Sequence, residues 1–192
     1  MMTSGGRYMK GFGLASMVGV ALLTLAACGG SSEEPDILAP VEGFTAFVQL
    51  TSPDFENGSQ IPTVFTCDGD DRSPALAWES IPTGTQSLAL VMEDPDAPGG
   101  TWTHWVAYGL SAESSGLAEA TTDGMLEGEN DFGRTGYGGP CPPTGSDHRY
   151  FFRLYALDSA VDLGPGVTKS ELFEAINGHV LGVGQIMVTY AR

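Results

Sequence analysis

From residue 44 onward, apolar residues come in short runs that proline and glycine cut apart. Residues 44–50 alternate apolar and polar positions, then stop at Thr51-Ser52-Pro53. Residues 75–78 form a brief apolar stretch, and residues 88–92 are continuously apolar before Glu93-Asp94-Pro95-Asp96-Ala97-Pro98-Gly99-Gly100. Residues 103–108, 150–156 and 185–190 are rich in aromatic and β-branched side chains, as buried strands are. One stretch reads as helix. Thr168 can cap it, Glu171 follows three positions later as in a capping box, and Leu172, Phe173 and Ile176 make one apolar face before Gly178. Many short strands, little helix and long Pro/Gly loops predict a mainly β, sandwich-like domain with peripheral short helix. No internal repeat interrupts this pattern, and no second domain fits beside it.

The first 43 residues follow different rules. Arg7 and Lys10 are the cations of a start that contains no acid, and residues 11–27 are apolar or small throughout. A positive start, a short apolar run and a small-residue exit are the marks of a secretory signal peptide. As a helix the run would rise about 26 Å, marginal against a hydrocarbon core of roughly 30 Å. It ends in Leu25-Ala26-Ala27-Cys28, which resembles the lipobox at which bacterial lipoproteins are cleaved and their cysteine acylated. Residues 1–27 are therefore expected to be a signal peptide and Cys28 the lipidated first residue. Residues 28–43, polar and breaker-rich, are expected to form a flexible tether. The expected location is the cell envelope: the outer membrane of a Gram-negative host, or otherwise the outer face of the cell membrane.

Charge and cysteine content follow from that division. Two of the eight cations and none of the 24 acids precede Cys28, so six cations face 24 acids in the remainder, a net charge of −18. Such a surface repels nucleic acid and anionic lipid faces, so the lipid rather than the surface charge would hold the domain to a membrane. Apart from Cys28, Cys67 and Cys141 are the two remaining thiols, an even pair in an oxidising compartment. They are expected to bridge, with two buried free thiols as the alternative.

Two long segments, residues 93–105 and 131–150, concentrate the reactive side chains, and long loops in a compact domain are commonly functional. The first runs Asp94-Pro95-Asp96-Ala97-Pro98 and then reaches Trp102, His104 and Trp105. The second runs Gly136-Tyr137-Gly138-Gly139-Pro140-Cys141-Pro142-Pro143, then His148-Arg149-Tyr150. Glycines permit backbone N–H groups to converge into an anion-binding nest, and two imidazoles add donors. Asp94 is expected to orient an imidazole and favour its charged form, with Trp102 and Tyr150 as an apolar rim. Asp96 is expected to hold its loop, and His179 to cap or pack near the helix end.

These two motifs, in this order, resemble the phosphatidylethanolamine-binding protein family, and within it the bacterial Raf-kinase-inhibitor-like branch. Ser52-Pro53-Asp54-Phe55, Phe65-Thr66-Cys67-Asp68-Gly69, Ser73-Pro74-Ala75-Leu76 and Gly178-His179-Val180-Leu181 extend the likeness over about residues 46–192. The resemblance implies a β-sandwich with a small edge pocket for phosphate, acetate, cacodylate or a phospholipid headgroup. The matching pocket positions are Asp94, Trp102, His104, Gly139, Pro140, Pro142, His148 and Tyr150. The eukaryotic pocket also recruits a C-terminal helix. Here the sequence stops at Arg192 directly after an expected strand, so that lid is not expected. The function implied is binding of a small anionic ligand by a non-enzymatic protein, with no cofactor and no metal. Relatives that inhibit proteases and kinases make a protein-binding regulator the second class. Asp94, His104 and His148 as a two-His, one-carboxylate metal site, and Cys141 with His148 as a thiol hydrolase, are weaker rivals. No Gly-x-Ser-x-Gly elbow is present for a serine hydrolase of that design.

Overall fold

The computed structural model describes residues 44–192. The expected signal peptide, the acylated Cys28 and the tether lie outside the described residues. Strands β4 (Ser87–Asp94), β5 (Trp102–Ser111), β8 (Asp147–Leu157) and β9 (Val180–Ala191) build the body of the larger sheet. The two-residue strands β1 (Ala46–Phe47) and β7 (Leu126–Glu127) close its edges, giving the order β1-β9-β8-β4-β5-β7. A second sheet, β2-β3-β6, is formed by Gln49–Thr51, Leu76–Glu79 and Gly116–Leu117.

Residues 44–50 read as one alternating strand, yet the chain changes sheets at Val48. Ala46 and Phe47 pair in parallel with Gly182 and Val183, whereas Gln49–Thr51 pair antiparallel with β3. Buried Val48 sits at the crossing, with its N–H bonded to the Val183 carbonyl. Such a switch lets one segment close the sandwich from one sheet to the other.

The uninterrupted apolar run of β4 has a simple cause: both faces of the larger sheet are covered. Leu88, Leu90 and Met92 face the small sheet and pack with Leu50, Leu76, Trp78, Trp105 and Phe152. Ala89 and Val91 face the other way, against Leu172 and Ile176 of helix α1 (Lys169–Ile176). That helix starts as its sequence dictates. Thr168 accepts from the Glu171 N–H, and the Glu171 side chain accepts from the Thr168 N–H. Within the described residues the fold is mainly β with one α-helix, as expected. The two-residue strands β6 and β7 and the 3-10 turn Thr63–Phe65 are too short to show a period in sequence.

Candidate functional site

One end of the larger sheet, where β4 finishes and β5 and β8 begin, gathers Asp94, His104, His148 and Tyr150. Antiparallel pairing sets Asp94 opposite Trp102 and Glu93 opposite Phe151. Met92 pairs with Trp105 and Glu93 with Thr103, so His104 is the extra residue of a β-bulge. A bulge re-aims a side chain. Here His104 meets the Tyr150 ring at 5.2 Å, while its sequence neighbour Trp105 is buried in the core that also contains Tyr150. Both histidines therefore lie on strands; strand pairing extends past the prolines and glycines that suggested loops.

Each imidazole is fixed by its Nδ1. His148 Nδ1 lies 2.7 Å from Asp94 Oδ2, with both side chains buried. Asp94 Oδ1 accepts the Asp96 N–H at 2.8 Å, which holds the carboxylate in place. His104 Nδ1 lies 2.6 Å from the Gly138 carbonyl oxygen, and the Gly138 N–H returns a bond to the His104 carbonyl at 2.9 Å. Burial pulls the His104 pKa below the ordinary imidazole value, outweighing the Gly138 carbonyl and Asp94, which act to raise it. The ring that Asp94 orients, as expected, is His148 rather than His104, where burial disfavours the charged form. Tyr150 is fully buried behind the two imidazoles, with its hydroxyl beside Asp94 and the Cys141 backbone. Burial, and then the Asp94 charge, push its pKa up, so it stays un-ionised.

The loop between β4 and β5 is clamped from below. Asp96 accepts the Arg149 N–H at 2.9 Å and is gripped by both Nε and Nη2 of the same guanidinium, which hold its carboxyl below the usual carboxylate range. This is the loop-holding role expected of Asp96. On the opposite side, Cys141 is joined to Cys67 in a disulfide spanning 74 positions. The bridge ties the proline-rich wall to the 63–71 turn and leaves no thiol for a Cys141–His148 hydrolase.

Between these walls lies an open cavity of about 200 Å³ lined by Asp94, Ala97, Pro98, Trp102, His104, Phe132, Cys141, Pro142, Pro143 and His148. That is below the roughly 300–1,000 Å³ of drug-sized sites and suits one small group. Its mouth is aromatic, with Trp102 and Phe132 both partly exposed and 5.5 Å apart edge to face.

The profile of the family described as "Phosphatidylethanolamine-binding protein" matches residues 51–191. The chain belongs to the phosphatidylethanolamine-binding protein family. It is 46% identical over 151 residues to a UPF0098 protein of Methanothermobacter thermautotrophicus, covering 76% of this chain and 99% of that one. A UPF0098 protein of Aquifex aeolicus is 45% identical over 154 residues, covering 77% and 90%. Among solved structures, a putative phosphatidylethanolamine-binding protein homologue from Chlamydia trachomatis superposes with a TM-score of 0.73 at 40% identity, covering 77% of this chain and 99% of that one. E. coli YbcL, described as a member of the mammalian family, gives 0.71 at 31% identity with the same coverage.

Within this family member, five of the eight positions singled out from sequence line the cavity: Asp94, Trp102, His104, Pro142 and His148. Three do not. Tyr150 supports the histidines from behind and forms no rim. Gly139 and Pro140 lie behind the wall, where the Gly139 N–H bonds Asp71 Oδ1 and the Pro140 carbonyl accepts the Cys67 N–H. The glycine-rich nest is likewise absent as a ligand site. Of Gly136, Gly138 and Gly139 only Gly136 has a positive φ, and the N–H groups of all three are engaged within the fold. Among the described residues, no three His, Cys, Asp or Glu side chains are grouped as a metal would need them. His179 stands apart, with its Nδ1 2.8 Å from Asp158 Oδ1. Sequence reasoning missed Phe132, whose one signal was a lone aromatic residue inside the polar stretch Asn130-Asp131-Phe132-Gly133.

Proposed function

We propose that this family member is an envelope-anchored receptor that binds and releases a small oxyanion, a phosphate, carboxylate or phospholipid headgroup, without transforming it. The observation that carries the reading is the pair of buried imidazoles, His104 and His148, each pinned through Nδ1 at the floor of one small cavity. Outside the lining, Arg134 stacks on Phe132 and Arg192 reaches Cys141 Sγ, while Arg134, Arg149 and Arg192 are each paired with an aspartate, Asp71, Asp96 and Asp68. The apolar lining from Pro98, Pro142, Pro143, Trp102 and Phe132 suits the organic part of a headgroup such as that in the family's name.

A hydrogen bond to a charged group contributes roughly 1.5–3 kcal/mol, so losing one imidazole should weaken binding about tenfold or more. Calorimetric titration with inorganic phosphate at pH 6 should give saturable binding to the wild type and none to a folded His104→Ala/His148→Ala protein. Equal affinity in the two would refute the site. The anchored location rests on Leu25-Ala26-Ala27-Cys28. Cys28→Ser should leave the protein unprocessed or release it from the membrane fraction. A Cys28→Ser protein that is cleaved and still membrane-bound would remove the anchor from this reading.

A further inference from the structure

We infer that the pocket recognises an oxyanion bringing a proton of its own: a phosphomonoester in its monoanionic form, in preference to a phosphodiester. The inference rests on the oxyanion reading above and sharpens it. Its basis is where hydrogens can sit. A carbonyl oxygen only accepts, so the contact with Gly138 assigns the His104 proton to Nδ1. In the neutral ring, the other nitrogen, Nε2, is then an acceptor. Burial disfavours the charged form of His104, outweighing the Gly138 and Gly139 backbone contacts and the Asp94 and Asp131 charges, which act to raise its pKa.

His148 commits its Nδ1–H to the Asp94 carboxylate, so it donates to a ligand from Nε2 only when both of its nitrogens are protonated. The N–H groups of Gly136, Gly138 and Gly139 are engaged, and Pro140, Pro142 and Pro143 have none. An oxyanion with lone pairs alone would set an oxygen against the lone pair of His104. A P–OH group removes that conflict by donating to His104 Nε2, while a deprotonated oxygen of the same phosphate accepts from protonated His148.

The groups facing the two rings agree with this division. Asp94 from β4 and Asp131 from the loop after β7 act on His104. Asp94 and Asp96 lie beside His148, with the Asp96 charge engaged by Arg149. Tyr150 of β8 touches both rings and is un-ionised.

The test compares methyl phosphate with dimethyl phosphate on the full chain at pH 5. Both then carry a single negative charge, since the second pKa of a phosphomonoester is about 6. Calorimetry should show the monoester binding at least tenfold more tightly. In His104→Gln the side chain can turn either a donor or an acceptor to the ligand, so the preference should vanish. If the two probes bind the wild type equally, or the diester binds better, the inference is overturned and the oxyanion reading stands. A preference retained in a folded His104→Gln protein overturns the assignment to His104. Should neither probe bind, or should His148→Ala leave both affinities unchanged, the oxyanion reading itself falls with it.

Discussion

A Cβ on Gly139 would press against the Phe65 carbonyl oxygen and come within 2.9 Å of Thr66 Cα, while the Gly139 N–H is held by Asp71. At this residue the pocket wall meets the 63–71 turn, and two positions on Cys141 fixes the same contact covalently. Closing a loop of that length is worth about 2–4 kcal/mol in the chain-entropy account. Gly139→Ala should therefore cost about 1–3 kcal/mol, as overpacking does, and displace Pro142 enough to weaken phosphate binding. Urea unfolding and calorimetry on one preparation check both parts, and unchanged stability would show that the turn yields freely. The residue types of the site were readable in sequence because imidazole, carboxylate and glycine have few alternative uses in such density. Which of them touch the cavity was not readable. Gly139, Pro140 and Tyr150 stand one layer behind it, and depth is set by neighbours far away in the chain.

Among the elements, helix α1 is joined to the sheet by polar as well as apolar contacts. Glu93 on β4 pairs with Arg153 on β8 and with Lys169 at the start of α1, and Gln185 on β9 takes the Arg153 Nε–H. Arg153 is buried and its Nη2 already has no partner. Removing one member of a buried pair leaves an uncompensated charge, typically costing 3–5 kcal/mol. Glu93→Ala should lose about that much in equilibrium unfolding, and a loss below about 1 kcal/mol would show that water reaches Arg153. The helix itself was legible because a capping box and an apolar face are local. This ion cluster was not. Glu93 reads as the first residue of a polar loop, whereas antiparallel pairing with Phe151 keeps it in the strand and turns it toward Arg153.

For the molecule as a whole, acid stability combines opposing terms. Protonating carboxylates relieves the self-repulsion of a domain whose residues 44–192 carry six cations against 20 acids, a net −14. His104 acts the other way. Its folded pKa lies below the ordinary 6.5, so as pH falls through 6.5 the unfolded chain takes up the proton first and stability declines. Asp96 adds a second step. Its folded pKa lies below 3.8, so its stabilisation is present above that value and is lost as pH falls through the folded pKa, discounted for a partly exposed group. The stability difference between wild type and His104→Gln should therefore shrink as pH falls from 7 to 5. Melting temperatures measured across that range check the sign, and a difference that grows on acidification would contradict a neutral His104.

The amino-acid sequence by itself determined the mainly β class, the four long strands, the capped helix, and the two motifs that carry the family. Each of these is written in short-range patterns: alternation, a cap three residues from its partner, or side chains of fixed chemistry in fixed order. The tertiary structure alone decided the sheet change at Val48, the bulge that turns His104 toward Tyr150, and the partners taken by the glycine N–H groups. A backbone donor is free or engaged according to which distant carbonyl or carboxylate meets it. The same glycines that promise an anion nest in sequence are therefore used up in packing, and the two histidines are what remains of that motif in the cavity lining.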